Sequence, residues 1–523
     1  MGLLSLPLQP AAAERRTTLS IMRRLEQDSL TPLAWLILPN LPLLVLRHKL
    51  TLVPHGLINI ECLLVGACSV FLPRLLIFLL LLLEIGGAFA YEVCYSFQIR
   101  FVDLLTTMRS LGDIPATRKE QMTIAAAASV AIAAMVAFAV RRPRRRWRAA
   151  LILLAMVVLF SAVDLWDGQN PLLRTAVQTA PQRLTLSPWI AIGVRDFLSG
   201  SPEAQARRKD SSFMPSATSA MMSLLRDRAR TVKPDVVVVL VESWGLMTDP
   251  HLANMLTSSY DDARIEATYD VRYGTAPFDG MTVPGEVREL CHTHLGFGVL
   301  HISALQSAGC LPEEFAASGY TTYAVHGYVG NMFQRVDWYK RLGFQATWFA
   351  PDLSRVGLPE CPGAFPGICD PSIAGWIGKE LLAEPSAQPH FVYWVTLNSH
   401  IPLPLNPQLP VDDLCASRPA LAQSSALCSW FRLIHALHAS VARAAGEATE
   451  RPTVFVLAGD HAPPFANPAL RQNFSSTVVP WVILMPKALR CAPAQRQIIA
   501  REPAIPRKQE TISRVESGIG QGR

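Results

Sequence analysis

The chain has 523 residues, of which 50% are hydrophobic and only 17% are charged, and its mean hydropathy is +0.24. A soluble enzyme of this length normally has a negative mean hydropathy, so much of the chain is expected to sit in lipid. The net charge of +7 comes with arginines that flank apolar stretches, which makes it a topology signal and excludes nucleic acid as an expected partner.

Five apolar stretches precede residue 170, over residues 33–46, 57–72, 75–97, 122–140 and 149–166. The last three approach the ~20 residues that cross a bilayer. The first two are shorter, and the first contains Pro39 and Pro42, so one of them is open to a re-entrant or interfacial reading. About five transmembrane helices are expected over residues 1–166. No charged segment, short apolar core and small-residue cleavage site open the chain, so no removable signal peptide is expected. Arg15, Arg16, Arg23 and Arg24 precede the first stretch, and Arg141, Arg142, Arg144, Arg145, Arg146 and Arg148 fill the loop before the last. Basic loops stay cytoplasmic, so an odd number of crossings of the cytoplasmic (inner) membrane delivers everything after Trp166 to the periplasmic or extracellular side. Arg47 and Lys49 run against this assignment.

Residues 167–232 read as a juxtamembrane connector, with an amphipathic helix near residues 215–230 lying at the membrane surface. Cys291, Cys310, Cys361, Cys369, Cys415 and Cys428 form three locally spaced couples, with Cys491 left over. Such couples suit short-loop disulfides in an oxidising compartment.

From Asp235 the sequence runs Asp-Val-Val-Val-Val-Leu-Val-Glu-Ser-Trp-Gly, the pattern of a buried parallel strand ending at Glu242. The same form recurs where residues 320–325 end at His326, 391–397 at His400 and 453–458 at Asp460-His461, with helices expected over 301–317 and 430–447 between them. Alternating strands and helices imply a mostly parallel α/β sheet over residues 233–488, in which ligands gather at the carboxyl ends of the strands. Residues 489–523 are polar and aperiodic, the composition of a disordered tail.

Glu242, Asp460, His461, His400 and His326 therefore converge if the strands are neighbours. Oxygen and nitrogen donors without a thiolate suit one divalent ion, zinc or manganese, with magnesium also admissible. Taken singly, each is equally a capping or hydrogen-bonding group at a strand end. His435 and His438, three apart on an expected helix, have no third ligand nearby in the sequence.

At these residues the chain resembles the membrane-anchored phosphoethanolamine and glycerol-phosphate transferases, including lipoteichoic acid synthase and the lipid A phosphoethanolamine transferases, of the sulfatase-like alkaline phosphatase superfamily. The resemblance spans nearly the whole chain. It implies an N-terminal multi-spanning α-helical membrane domain plus an extracytoplasmic sulfatase-like α/β domain. Val241-Glu242-Ser243-Trp244 resembles the first metal-binding strand end, Gly459-Asp460-His461 the Asp-His metal pair, and residues 396–402 the segment bearing an active-site histidine, His400. The run from His326 through Phe333 and Arg335 to Phe344 is similar to the lipoteichoic acid synthase branch, which implies substrate contacts by His326, Phe333 and Arg335.

The family places a metal-binding, phosphorylated threonine or serine shortly after the glutamate strand. Gly280-Met281-Thr282-Val283-Pro284-Gly285-Glu286 occupies that place, so Thr282 is the expected nucleophile and Thr275 its competitor. Thr282 also reads as a helix N-cap, which is compatible with holding a phosphate. Two departures stand out: Ala-Pro-Pro-Phe follows Asp460-His461 in place of a glycine-rich run, and the family's usual helix after the 478–485 strand has no counterpart.

The implied activity moves phosphoethanolamine or glycerol phosphate from a membrane phospholipid to an envelope glycan or lipid A through a phosphothreonine, with His400 handling protons and Arg335 holding the phosphate. The head group and the acceptor stay open, as does the oligomeric state. A sulfatase or phosphodiesterase hydrolase is the enzymatic alternative. Against a sulfatase, Thr282-Val283-Pro284-Gly285-Glu286 lacks both the convertible Cys or Ser and the arginine of Cys/Ser-x-Pro-x-Arg. A non-catalytic glycan-binding protein is the third reading. A transporter, suggested by Glu61, Glu84 and Glu92 in apolar stretches, leaves the strand-end motifs unexplained.

Overall fold

The computed structural model describes residues 32–42, 58–96, 101, 104, 116–139, 146–166, 185–189, 213–228 and, with short interruptions, 232–489. Arg15, Arg16, Arg23, Arg24, Arg47, Lys49, most of the Arg-rich loop before residue 146, Cys491 and the expected tail beyond residue 489 lie outside the described residues.

The N-terminal part contains α1 (Ile60–Cys68), α2 (Arg74–Ser96), α3 (Ala116–Ala134), extended by a π turn over Met135–Ala139, and α4 (Arg146–Trp166). Leu63, Leu81, Ala133 and Leu153 pack around Trp35. Leu75, Leu79, Leu83, Leu151, Val158 and Leu159 face outward and are exposed. A helix that is apolar on its outer face as well as its inner one matches an apolar surround. Arg74–Tyr91 and Lys119–Phe138 are long and apolar enough to cross a membrane, and Trp147–Val163 is a shorter apolar stretch. Helix α1 has nine residues, with Asn59 capping its start by accepting from Glu61 N. It rises only ~14 Å against a hydrocarbon core of ~30 Å. Helix α1 by itself is thus too short to cross a bilayer.

In the C-terminal part, α5 (Ala217–Arg228) precedes β1 (Asp235–Val241), β2 (Tyr269–Pro277), α6 (Thr282–Cys291), β3 (Thr321–His326), α7 (Arg335–Arg341), β4 (Ala346–Trp348), α8 (Asp370–Trp376), β5 (His390–Val395), α9 (Ser425–Gly446), β6 (Thr453–Gly459) and β7 (Val478–Pro486). They build a seven-stranded sheet in the order β2-β7-β6-β1-β5-β3-β4. The five strands from β6 to β4 are parallel, whereas β7 runs antiparallel to both β6 and β2. β2 and β4 were not expected from the sequence. β2 is an edge strand with mixed exposure, and β4 has three residues, so neither carries an apolar run.

Side chains of β1 alternate between two cores. Val237, Val239 and Val241 meet Trp430, Phe431 and Ile434 of α9, while Val236, Val238 and Leu240 meet Val283, Val287 and Leu290 of α6. Burial on both faces explains the unbroken aliphatic run. The apolar side of amphipathic helix α5 packs on the protein core. Ala217 and Met221 are fully buried in the α6-side core, and Thr218 bonds to Glu289 through its N–H and hydroxyl. The three cysteine couples are disulfides, Cys291–Cys310, Cys361–Cys369 and Cys415–Cys428.

His438 is a core residue of α9. Its Nδ1 bonds to the Tyr260 hydroxyl at 2.9 Å and its ring meets Trp244 edge-on at 4.4 Å. Among the described residues, no cluster of metal-ligating groups includes it or His435. Burial, reinforced by His435, pushes His438 down from 6.5 to about 3. Above pH ~6.5 the folded and unfolded chains both carry it neutral; below, only the unfolded chain takes the proton, so stability falls as pH drops, by up to ~1.4 kcal/mol per unit. His438→Gln is expected to flatten that acid slope by about this amount, as read from denaturant melts between pH 6.5 and 5.

Candidate active site and metal centre

Strands β1 and β6 run in register, with Gly459 opposite Val241, so Glu242 and Asp460 leave the sheet at the same level. A Cβ on Gly459 would stand 2.0 Å from the Trp244 carbonyl oxygen, so only glycine permits this crossing. Glu242, Asp460 and His461 are buried, and one potential ligand atom of each lies within 4.8 Å of the others. His461 Nδ1 faces the Ala462 carbonyl at 2.9 Å and must donate to it, which leaves Nε2 a lone pair in the neutral ring. That Nε2 lies 3.3 Å from Asp460 Oδ2 and 3.6 Å from Glu242 Oε1, and among the described residues neither it nor Asp460 Oδ2 has a hydrogen-bond partner. Acceptors converge there without a donor between them. A divalent cation suits such a set, as nitrogen and oxygen ligands.

The electrostatics agree. Burial and the neighbouring Glu242 push Asp460 well above the usual carboxylate range. Burial also acts to raise Glu242, but His400, His461 and hydrogen bonds from Ser243 and Thr282 outweigh it and hold Glu242 low. Ser243, at φ +56°, donates its N–H to Asp460 Oδ1 (2.7 Å) and its hydroxyl to Glu242 Oε1 (2.8 Å), while its carbonyl accepts from Trp430 Nε1 (2.8 Å). A left-handed backbone at a non-glycine residue is strained, and these three bonds hold it.

Thr282 begins α6, after Met281 as the N-cap, and donates its hydroxyl to Glu242 Oε2 at 3.0 Å. It is the first helical residue and not the cap. Thr275 is exposed in β2 opposite Pro480, away from the carboxylates. Deeper in α6, Glu286, Arg288 and Glu289 are fully buried. Arg288 donates to the carbonyls of Gly459 (2.5 Å), Asp460 (3.3 Å) and Pro277 (3.3 Å) and pairs with Glu289 at 2.7 Å. It thereby ties the Thr282 helix to the strand end that carries Asp460.

His326, Phe333, Arg335 and His400 line one cleft of about 570 Å³ with Glu242 and Thr282. His326 Nδ1 faces the Val395 carbonyl at 3.0 Å. Burial and the Arg335 charge push His326 down to about 3, so it is a neutral ring with Nε2 free to accept. Phe333 and Gln334 both have φ +54°, a tight left-handed turn that delivers Arg335 to the start of α7, with the Arg335 guanidinium 5.4 Å from the Phe333 ring centre. His400 sits on the loop after β5. Asp370 holds that loop by accepting from Leu397 N and Asn398 N, and burial pushes Asp370 up to about 7. Phe365, in the turn closed by Cys361–Cys369, meets the His400 ring edge-on at 4.8 Å.

All eight expected site residues thus share one region. Trp244, beside Glu242, packs in the core and does not line the cleft. Sequence reading assigned no role to Ser243, Glu286, Arg288, Asp370 or Phe365. For Glu286 a signal existed, since it lies four residues after Thr282 and so on the same helix face. The others depend on chain segments distant in sequence.

A family model described as Sulfatase matches residues 234–498, about half of the chain. None of the curated proteins matches. The chain is similar to the integral membrane lipooligosaccharide phosphoethanolamine transferase EptA from Neisseria meningitidis, with 12% identity, TM-score 0.41, and 81% of this chain and 80% of that one covered. It is also similar to the phosphoglycerol transferase GacH from Streptococcus pyogenes, with 18% identity, TM-score 0.34, and 54% and 75% covered. An alkaline phosphatase superfamily protein from Vibrio parahaemolyticus is similar at 16% identity, TM-score 0.37, with 56% and 69% covered. The match over residues 234–498 carries the family assignment.

In metal-free protein, Asp460→Asn replaces a buried carboxyl whose ionisation is opposed by burial and by Glu242, and keeps an oxygen for Ser243 N and His461 N. It is expected to raise Tm by roughly 2–4 °C, about 1 kcal/mol in a domain of this size. The same substitution should erase the stabilisation by added Zn²⁺ or Mn²⁺, which for the wild type reaches about 2.7 kcal/mol at a hundredfold excess over Kd. Thermal melts with chelator and with each ion check both halves.

Proposed function

The chain belongs to the sulfatase family, and from that premise we propose that it is a metal-dependent phosphotransferase. It moves phosphoethanolamine or glycerol phosphate from a membrane phospholipid to a glycan or lipid A acceptor through a phosphorylated Thr282. The observation that carries this reading is the Thr282 hydroxyl at the N-terminus of α6, 3.0 Å from Glu242, in a cleft shared with Arg335 and His400. A threonine at the nucleophile position lacks the convertible side chain of a sulfatase, and it bears a phosphoryl group as a stable ester.

Glu242, Asp460, His461 and the Thr282 hydroxyl would hold one divalent ion, zinc or manganese, which supplies positive charge that acidifies the hydroxyl and offsets charge on the phosphate. Glu242 Oε2 is the acceptor already facing the Thr282 proton. The Thr282 oxygen bonds to phosphorus, the bond to the diacylglycerol oxygen breaks, and His400 gives that oxygen a proton. In the second step His400 takes the proton of the acceptor hydroxyl as that oxygen displaces Thr282. The amide groups opening α6 face the phosphoryl group on Thr282. Arg335 contacts a non-bridging oxygen, neutral His326 accepts a hydrogen bond, and Phe333 packs on the head group.

In this reading, residues 1–166 form a multi-pass domain in the cytoplasmic membrane, with the basic segments inside and the catalytic domain outside. An odd number of crossings, five or three, gives the same exit side. A tether that holds the cleft near the bilayer raises the local concentration of a lipid donor.

The test is mass spectrometry of the full chain in detergent, with Mn²⁺ or Zn²⁺ and either phosphatidylethanolamine or phosphatidylglycerol. A phosphoethanolamine or glycerophosphate mass on the peptide containing Thr282 is expected from one lipid, with loss of adduct and at least a ~10³-fold fall in transfer for Thr282→Ala. Lipid hydrolysis without any transfer to added lipid A or glycan would favour the phosphodiesterase reading. Turnover by Thr282→Ala at the wild-type rate would remove Thr282 from the mechanism.

A further inference from the structure

Arg335 does not face the cleft as a free cation. Its Nε and Nη2 both donate to Glu286 Oε1, at 3.0 and 2.8 Å, and Glu286 Oε2 accepts from the Tyr339 hydroxyl at 2.5 Å. Glu286 is fully buried and Arg335 nearly so. Burial acts to lower the Arg335 pKa, but Glu286 outweighs it and holds the guanidinium firmly charged. Among the described residues, the third nitrogen, Nη1, has a single long contact, 3.5 Å to the Met332 carbonyl. One fork edge is therefore used up by Glu286, and Nη1 is the edge left for a ligand.

Two consequences follow from elementary electrostatics. The buried pair is neutral as a unit, so Arg335 brings hydrogen-bonding direction to the cleft without net charge. In addition, Glu286 lies one helical turn below Thr282 on α6, so one rigid element sets the spacing between the nucleophile and the phosphate-binding arginine. A divalent ion beside Glu242 and Asp460 would likewise be balanced in charge, and His326 is neutral. A cleft so balanced suits a singly charged phosphodiester and penalises a doubly charged phosphomonoester, which needs extra positive charge.

We infer that Glu286 is a positioning residue that fixes the open edge of Arg335 and, by cancelling its charge, selects phosphodiesters over phosphomonoesters. This inference rests on the reading of Arg335 as a phosphate contact. It assigns to Glu286 a part in choosing the substrate class and in setting the geometry around Thr282.

The experiment uses the full chain in detergent with Mn²⁺ and two probes, bis(p-nitrophenyl) phosphate and p-nitrophenyl phosphate, in wild type and Glu286→Gln. Glutamine keeps the shape and an acceptor oxygen for Arg335 but removes the charge. The kcat/KM ratio of diester to monoester is expected to fall by about tenfold, mainly through a lower KM for the monoester. An unchanged ratio, with both substrates slowed equally, would overturn the inference, since a merely structural role predicts that outcome. A second measurement covers poor folding of Glu286→Gln. Arg335→Ala leaves a socket with Glu286 at its base, and millimolar guanidinium ion is expected to restore diester turnover at least about fivefold and to raise Tm in that variant alone. Folded Arg335→Ala that guanidinium does not rescue would also overturn it. If Arg335→Ala turns over both probes at the wild-type rate, the fault lies instead with Arg335 as a phosphate contact. Thr282→Ala tests the phosphothreonine reading independently of either result.

Discussion

Two carboxylates and an imidazole share a buried site at the ends of neighbouring parallel strands, and the crowding of these polar groups is the constraint around which the C-terminal domain is arranged. Glu242 and Asp460 meet because β1 and β6 pair in register. Burial and the neighbouring Glu242 oppose ionisation of Asp460, whereas for Glu242 burial is outweighed by His400, His461 and the hydrogen bonds from Ser243 and Thr282. The surroundings resist relaxation. The strained Ser243 binds both carboxylates, Trp430 holds Ser243 from the α9 side, and Arg288 holds the Gly459 and Asp460 carbonyls from the α6 side. A site kept in an unfavourable charge state by a stiff frame is one prepared to gain free energy from a cation.

Helix α6 links this site to the rest of the cleft. Thr282 is at its first turn, Glu286 reaches Arg335 one turn later, and Arg288 and Glu289 form a buried ion pair that joins β6 to α5. Cys291 ends the helix and ties it by a disulfide to Cys310, at the start of the next helix. Buried ion pairs add little net stability compared with apolar packing, yet losing one partner costs several kcal/mol. Their value here is in geometry: Thr282, the strand end bearing Asp460 and Arg335 are all referred to one rigid rod.

The outer and N-terminal parts are in contact. Phe101 and Leu104 pack on the core that contains α6 and α7, and Phe101 meets Trp189 edge-on at 5.8 Å. Trp189 rests on Gly87 of α2, where a Cβ would stand 2.5 Å from the indole, and donates its backbone N–H to Glu61 at 3.4 Å. These contacts join the cleft-bearing domain to apolar helices.

The sequence by itself determined the elements whose signal is local. The aliphatic run before Glu242 could only be a strand covered on both faces, because both alternating sets of side chains are apolar. The strand-end residues Glu242, His326, His400, Asp460 and His461 were legible because a parallel sheet aims its carboxyl ends one way, and the cysteine couples because short loops favour pairing. Tertiary structure alone decided the rest. β2 and β4 lack an apolar run and gain their pairing from neighbours, α5 buries its apolar side in a protein core, and Thr282, unlike Thr275, meets Glu242 because α6 begins beside it. Glu286, Arg288, Ser243 and Asp370 read as ordinary polar residues along the chain. Their roles come from partners 28 to 217 residues away. Such pairings depend on which segments the fold brings together, and no local pattern encodes them.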